Sequence, residues 1–173
     1  MVKKILYIHG YNGSPTGCSY TLFDELLDKQ SYELHTIDYD CTDPEGAIKS
    51  VKEYIREHKI DIVIGSSLGG FITLFLYGVM RIVINPCWNP AVELPLVGYT
   101  GPTEVYESLL RRLIDTTDEE ETELCCGCFA PADELLGEKY RETFSRYYCR
   151  IYDIPGGHHV SREAVEKIIN EVI

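Results

Sequence analysis

Two unbroken apolar runs, Ile62-Val63-Ile64 and Ile82-Val83-Ile84, constrain this chain more than any other feature. A strand with one face in water alternates apolar and polar residues. A strand apolar at every position must be covered on both faces, as in a parallel sheet sandwiched between helices. These runs lie in candidate strands Asp61 to Gly65 and Arg81 to Asn85, and β-rich runs recur at Lys4 to His9, Leu34 to Asp38, Glu123 to Cys128 and Cys149 to Ile154. Helical patterns separate them. In Glu45 to His58, the residues Ile48, Val51, Tyr54, Ile55 and His58 fall at helical spacing behind the cap Thr42-Asp43-Pro44-Glu45. Ser161 caps a C-terminal segment whose Val165, Ile168, Ile169 and Val172 form one stripe. Strand and helix in alternation predict a three-layer α/β sandwich with a doubly wound, mostly parallel sheet of about six strands, in one domain spanning residues 1–173.

One stretch breaks the alternation. Pro86 to Thr122 holds Pro90, Pro95 and Pro102, a helical pattern Tyr106-Leu109-Leu110-Leu113 and the acidic run Asp118 to Glu121. It exceeds what a crossover needs and reads either as an insertion over one end of the sheet or as a long crossover with a solvated acidic loop.

The charge balance narrows the partners. With 16 Lys and Arg against 28 Asp and Glu, the chain carries a net charge of −12 and lacks the basic footprint that nucleic acid or an anionic membrane requires. The apolar stretch from Phe71 to Ile84 is interrupted by Thr73, Gly78 and Arg81 and falls short of a membrane span. The run Ile5 to Ile8 after Met1-Val2-Lys3-Lys4 is too brief for a signal peptide, and 7 scattered cysteines do not form a secreted disulfide framework. The expected compartment is the cytoplasm. Cys125-Cys126-Gly127-Cys128 contains a C-x-x-C without a second pair or a histidine at metal-site spacing, inside a predicted buried strand where cysteine packs as a small hydrophobe. No metal site is expected.

The sharpest chemical signal is Gly65-Ser66-Ser67-Leu68-Gly69, a G-x-S-x-G between a buried strand and the helical run Leu68 to Tyr77. Such a turn projects the Ser67 hydroxyl from the carboxyl edge of the sheet, and small flanking residues avoid clashes. A serine hydroxyl is a weak nucleophile and needs a base, an acid to orient the base, and donors for the oxyanion. The acid candidate is Asp133, in the loop Ala130-Pro131-Ala132-Asp133-Glu134 entering a predicted helix Leu135 to Phe144, where it is equally placed to act as an N-cap. The base candidates are His158 and His159 in Pro155-Gly156-Gly157-His158-His159. The backbone N–H groups of Leu68 and of Tyr11, in the loop His9 to Pro15, are the oxyanion candidates, with His9 bracing that loop.

These motifs resemble the small single-domain α/β-hydrolases, and among them the bacterial YqiA-like esterases. The resemblance rests on Leu6-Tyr7-Ile8-His9-Gly10-Tyr11-Asn12-Gly13-Ser14-Pro15, Ile64-Gly65-Ser66-Ser67-Leu68-Gly69-Gly70, Ile84-Asn85-Pro86, Asp133-Glu134 and Gly156-Gly157-His158-His159. It implies Ser67 as nucleophile, Asp133 as acid and His159 as base, because the family reads Gly-Gly-x-His with the histidine last; His158 is the alternative base. It further implies cleavage of short-chain acyl esters, a small-molecule substrate and no cofactor. Its winding puts Leu34 to Asp38 at a sheet edge and Asp61 to Gly65 inside. One departure is that Val160 and Ser161 follow the histidines where the family carries an aromatic residue. Thioester, amide or peptide cleavage on the same scaffold, and a non-catalytic interaction protein, are the competing readings.

Overall fold

A computed structural model of the chain describes residues 2–116, 119–136 and 139–173. Its six strands are β1 (Lys3–Ile8), β2 (Tyr32–Thr36), β3 (Ile62–Ser66), β4 (Met80–Ile84), β5 (Cys125–Phe129) and β6 (Arg150–Asp153). They form one sheet in the order β2-β1-β3-β4-β5-β6, and every neighbouring pair is parallel. The expected six strands are therefore present, with β2 at an edge and β3 inside.

The apolar runs divide by parity. Ile5, Tyr7, Ile62, Ile64, Ile82 and Ile84 face one helical layer, built from α1 (Cys18–Leu26) and α8 (Arg162–Glu171). Leu6, Ile8, Val63, Val83 and Cys125 face the other, where α2 (Pro44–His58), α3 (Leu68–Thr73), α4 (Pro90–Leu96), α5 (Glu104–Thr116) and α7 (Lys139–Ser145) pack. The two predicted caps form: Asp43 accepts from the Gly46 N–H at 3.0 Å and Ser161 from the Ala164 N–H at 3.2 Å. Cys125 and Cys128 lie on opposite faces of β5, as residues three apart on a strand must, so their sulfurs do not converge.

Three expectations are corrected. The helix after Ser67 ends at Thr73 rather than Tyr77, because Phe75 and Leu76 donate to carbonyls three residues back and Gly78, at φ 76°, turns the chain into β4. The helix predicted from Leu135 begins instead at Lys139, after turns at residues 134–136; residues 137 and 138 lie outside the described part. The stretch 86–122 is neither a cap on the sheet edge alone nor a solvated loop. Tyr106, Leu109 and Leu113 of α5 join the core, α4 rises to the carboxyl edge, and Glu121 of α6 (Glu119–Glu123) pairs with the fully buried Arg81 at 2.8 Å. Asp118 of the acidic run lies outside the described residues. Trp88, between β4 and α4, is buried, stacked on Tyr147 with ring centroids 5.3 Å apart and set edge-on to Phe144 at 6.2 Å.

Candidate active site

Strand order reverses between β1 and β3, and such a switch point opens a crevice at the carboxyl ends of a parallel sheet. Ser67 stands there. It occupies the single residue between β3 and α3 with φ 53° and ψ −118°, a left-handed conformation that a non-glycine residue holds only when its surroundings impose it. They do so through β4, since the Ser67 N–H donates to the Ile84 carbonyl at 3.0 Å and the Ser67 carbonyl accepts from the Cys87 N–H at 3.0 Å. A Cβ at Gly69 would fall on the carbonyls of Ile8 and His9, and one at Gly65 on Thr73 and the Gly69 backbone. The glycines of the motif thus let the turn close against β1.

His158 bridges the other two groups. Its Nε2 lies 3.1 Å from Ser67 Oγ, and its Nδ1 lies 3.0 Å and 3.2 Å from the two carboxylate oxygens of Asp133. A carboxylate only accepts, so Nδ1 carries the proton and donates, which leaves Nε2 to accept from the serine hydroxyl. Asp133 is buried and its Oδ1 also accepts from the N–H groups of Leu135 and Leu136, each at 2.9 Å. Burial acts to raise the Asp133 pKa, but the bond from His158, those backbone donors and the nearby imidazole charge outweigh it and hold the carboxyl below its ordinary value. The capping and acid-like placements of Asp133 are therefore one arrangement.

The geometry places the ring of His158, rather than that of the expected His159, between Ser67 and Asp133. The His159 ring is exposed and lines the cavity over Ser67, 6.0 Å from that of His158 between centroids, and among the described residues no hydrogen bond joins it to Ser67 or Asp133. The reason lies in the backbone of His158, which is gripped at both ends of the residue. Its N–H donates to Glu134 Oε2 at 3.0 Å, while Asn85 Nδ2 donates to the carbonyls of Gly157 and His158 at 3.1 Å and 3.3 Å. Asn85 Oδ1 in turn accepts from the Ala130 N–H at 2.8 Å, so one buried amide joins the ends of β4 and β5 to the histidine loop. Gly156, at φ 99°, and its bridge to Val160 fold that loop back. The position after His158, where the family resemblance implies an aromatic ring, is then His159 itself. Sequence reasoning missed the roles of Asn85 and Glu134, whose visible traces were the motifs Ile84-Asn85-Pro86 and Asp133-Glu134.

Tyr11 follows β1 in the loop that lines the site, and Leu68 begins α3, so its N–H has no partner within the helix. The loop is braced as expected from His9. The His9 ring nitrogens lie 3.1 Å from the Asp38 carboxylate and 2.8 Å from the Gly10 carbonyl, its ring stacks on Tyr39 at 4.9 Å, and Tyr39 OH donates to the His9 carbonyl at 2.8 Å. A cavity of about 630 Å³ opens over Ser67 and His158. One wall is rich in hydroxyls, with Tyr7, Ser14, Ser19 and Tyr20; the other is mostly apolar, with Leu94, Leu96, Val97 and Leu136. Among the described residues no cluster of His, Cys, Asp and Glu converges as a metal site, and no helix is long and apolar enough to cross a membrane.

The sheet order and the serine turn define an α/β-hydrolase fold, and solved structures of that fold superpose on the chain. Est1E from Butyrivibrio proteoclasticus matches with a TM-score of 0.74 at 17% identity, over 98% of this chain and 88% of that one. The monoacylglycerol lipase of Paleococcus ferrophilus matches with a TM-score of 0.67 at 14% identity, over 91% of this chain and 86% of the other. The esterase domain of a Rhodothermus marinus protein matches with a TM-score of 0.69 at 14% identity, over 96% and 82%. The chain itself belongs to the uncharacterised protein family UPF0227, whose match runs over residues 4–167.

Proposed function

We propose that this protein is a serine hydrolase that cleaves small or short-chain acyl esters. The observation that carries the reading is the His158 ring, set between Ser67 Oγ and the Asp133 carboxylate with a hydrogen bond on either side. In the proposed reaction Ser67 Oγ attacks the ester carbonyl carbon as His158 Nε2 takes its proton, and the N–H groups of Leu68 and Tyr11 receive the oxyanion. His158 returns the proton to the leaving alcohol, giving an acyl-Ser67 intermediate. A water then attacks the acyl carbon by the same route, and Ser67 is restored with release of the acid. Asp133 holds the imidazole in its tautomer and stabilises the charged ring. These side chains and water suffice for the steps. Two fold relatives, a monoacylglycerol lipase and an esterase domain, agree with an ester substrate.

The test is labelling by a fluorophosphonate, which reacts only with an activated serine, followed by a panel of acyl esters, thioesters and amides. Labelling of the native protein with ester turnover is expected. In Ser67→Ala both vanish, with a rate loss of as much as about 10⁶-fold and little change in stability. An unlabelled native protein, or turnover retained in Ser67→Ala, overturns the proposal.

A further inference from the structure

Glu93 is out of character with its surroundings. It lies on α4 in the apolar wall of the cavity, among Leu94, Leu96, Val97 and Leu136, and its side chain is buried. A carboxylate in such a wall is costly unless partners replace the water it loses. Half of that requirement is met: Oε1 accepts from Lys139 Nζ at 2.6 Å and from Tyr140 OH at 2.5 Å, tying α4 to α7. Among the described residues no donor reaches Oε2, although the side chain forms part of the cavity surface. The group lines the same cavity as Ser67. Cys87, whose N–H donates to the Ser67 carbonyl, lines the same cavity, and burial followed by the Glu93 charge pushes its thiol well above the ordinary pKa.

Fastening α4 to α7 uses one oxygen of this cavity-lining residue and does not account for the other. Lys139 already offsets the charge of Glu93, so the free oxygen suits a neutral donor better than a second cation. Resting on the hydrolase reading, we infer that Glu93 binds a hydroxyl group of the substrate through Oε2, and so sets a preference for hydroxylated esters. Glu93 is then the specificity-determining residue of the apolar wall. The hydroxyl belongs either to the acyl part or to the alcohol part of the ester, a distinction that a matched pair of substrates resolves.

The experiment compares kcat/KM for ethyl butyrate, ethyl β-hydroxybutyrate, ethylene glycol monobutyrate and the ethyl ester of β-alanine in the native protein and in Glu93→Leu, Glu93→Gln and Tyr140→Phe. In the native protein one hydroxylated ester is expected to exceed ethyl butyrate by about tenfold or more, mainly through KM, as a hydrogen bond to a charged group is worth. That ratio falls to near one in Glu93→Leu and by about threefold or more in Glu93→Gln, where a neutral acceptor replaces the charge. It is kept in Tyr140→Phe, which weakens the tie between helices and leaves the carboxylate. Should Glu93→Leu fail to fold, as judged by its thermal transition, Glu93→Gln decides. The inference is overturned by a ratio near one in the native protein, by an unchanged ratio in the Glu93 variants, by an equal loss in Tyr140→Phe, or by a preference for the amino ester. Ester turnover without hydroxyl preference overturns this inference alone, whereas absence of turnover and of fluorophosphonate labelling removes the hydrolase reading and this inference with it.

Discussion

His158 and His159 are adjacent, share one chemistry and differ only in where the backbone aims them. If the ring between Ser67 and Asp133 is the base, His158→Ala loses nearly all turnover, comparably to Ser67→Ala, because members of such a unit are not additive. His159→Ala is expected to cost about tenfold or less, roughly 1.4 kcal/mol of transition-state stabilisation. Steady-state rates on one ester check both, and reversed losses move the role to His159. Asp133 gives a second measurable consequence. Its folded pKa lies below the ordinary 3.8, so ionised Asp133 is favoured by folding; that stabilisation is complete above the unfolded carboxylate value and disappears as pH falls through the folded one. The urea midpoint of the native protein should therefore exceed that of Asp133→Asn at pH near neutrality, and the gap should narrow below about pH 4. Ser67 was readable from its flanking glycines, and Asp133 from its place after a strand. Which histidine reaches Ser67 was not, because it depends on an asparagine 73 positions away and a glutamate 24 positions away, contacts with no local signature.

All six strands were visible, with ends within two residues of those found; the inner ones stood out because a strand covered on both faces stays apolar, whereas the half-buried edge strands β2 and β6 showed only as β-rich runs. Helix α3 was overextended for the same reason: Leu74, Phe75 and Leu76 are all buried, so hydrophobicity continued past the point where the helix stopped. A solvated acidic loop before β5 stayed open as one of two readings because an isolated sequence does not reveal that Arg81, at the start of β4, is fully buried and in need of a counter-ion. Arg81 also donates to the Leu74 carbonyl at 3.0 Å, so α6, the turn after α3 and β4 share one guanidinium. Removing its carboxylate partner leaves a buried charge uncompensated. Glu121→Ala should then destabilise the fold by about 3 kcal/mol, whereas Glu142→Ala, which breaks the exposed pair with Arg146, should change it by less than about 1 kcal/mol. Chemical denaturation of both variants tests the contrast, and equal effects would show that the buried pair carries no special weight.

The division of the sheet into two ends organises the molecule. The carboxyl ends of β1, β3, β4, β5 and β6 lead into the His9 loop, Ser67, Asn85, Asp133 and His158, while the Arg81 and Glu121 pair fastens the opposite end. The net charge of −12 acts on the whole surface, repelling anions and straining the compact state. Added salt screens it, so raising ionic strength from about 0.01 M to 0.1 M, which shortens the Debye length from about 30 Å to 10 Å, should increase the on-rate-limited hydrolysis of an anionic ester and leave a neutral ester of equal size almost unchanged. Rates at the two salt concentrations, taken well below KM, measure this; an equal response of both esters speaks against a field effect. Trp88, finally, is the one indole in the chain, buried against Tyr147 and next in sequence to Cys87, which lines the cavity. Its emission is consequently a single-site optical probe that needs no label, and a ligand settling in that cavity should register as a change in fluorescence before any bond is broken.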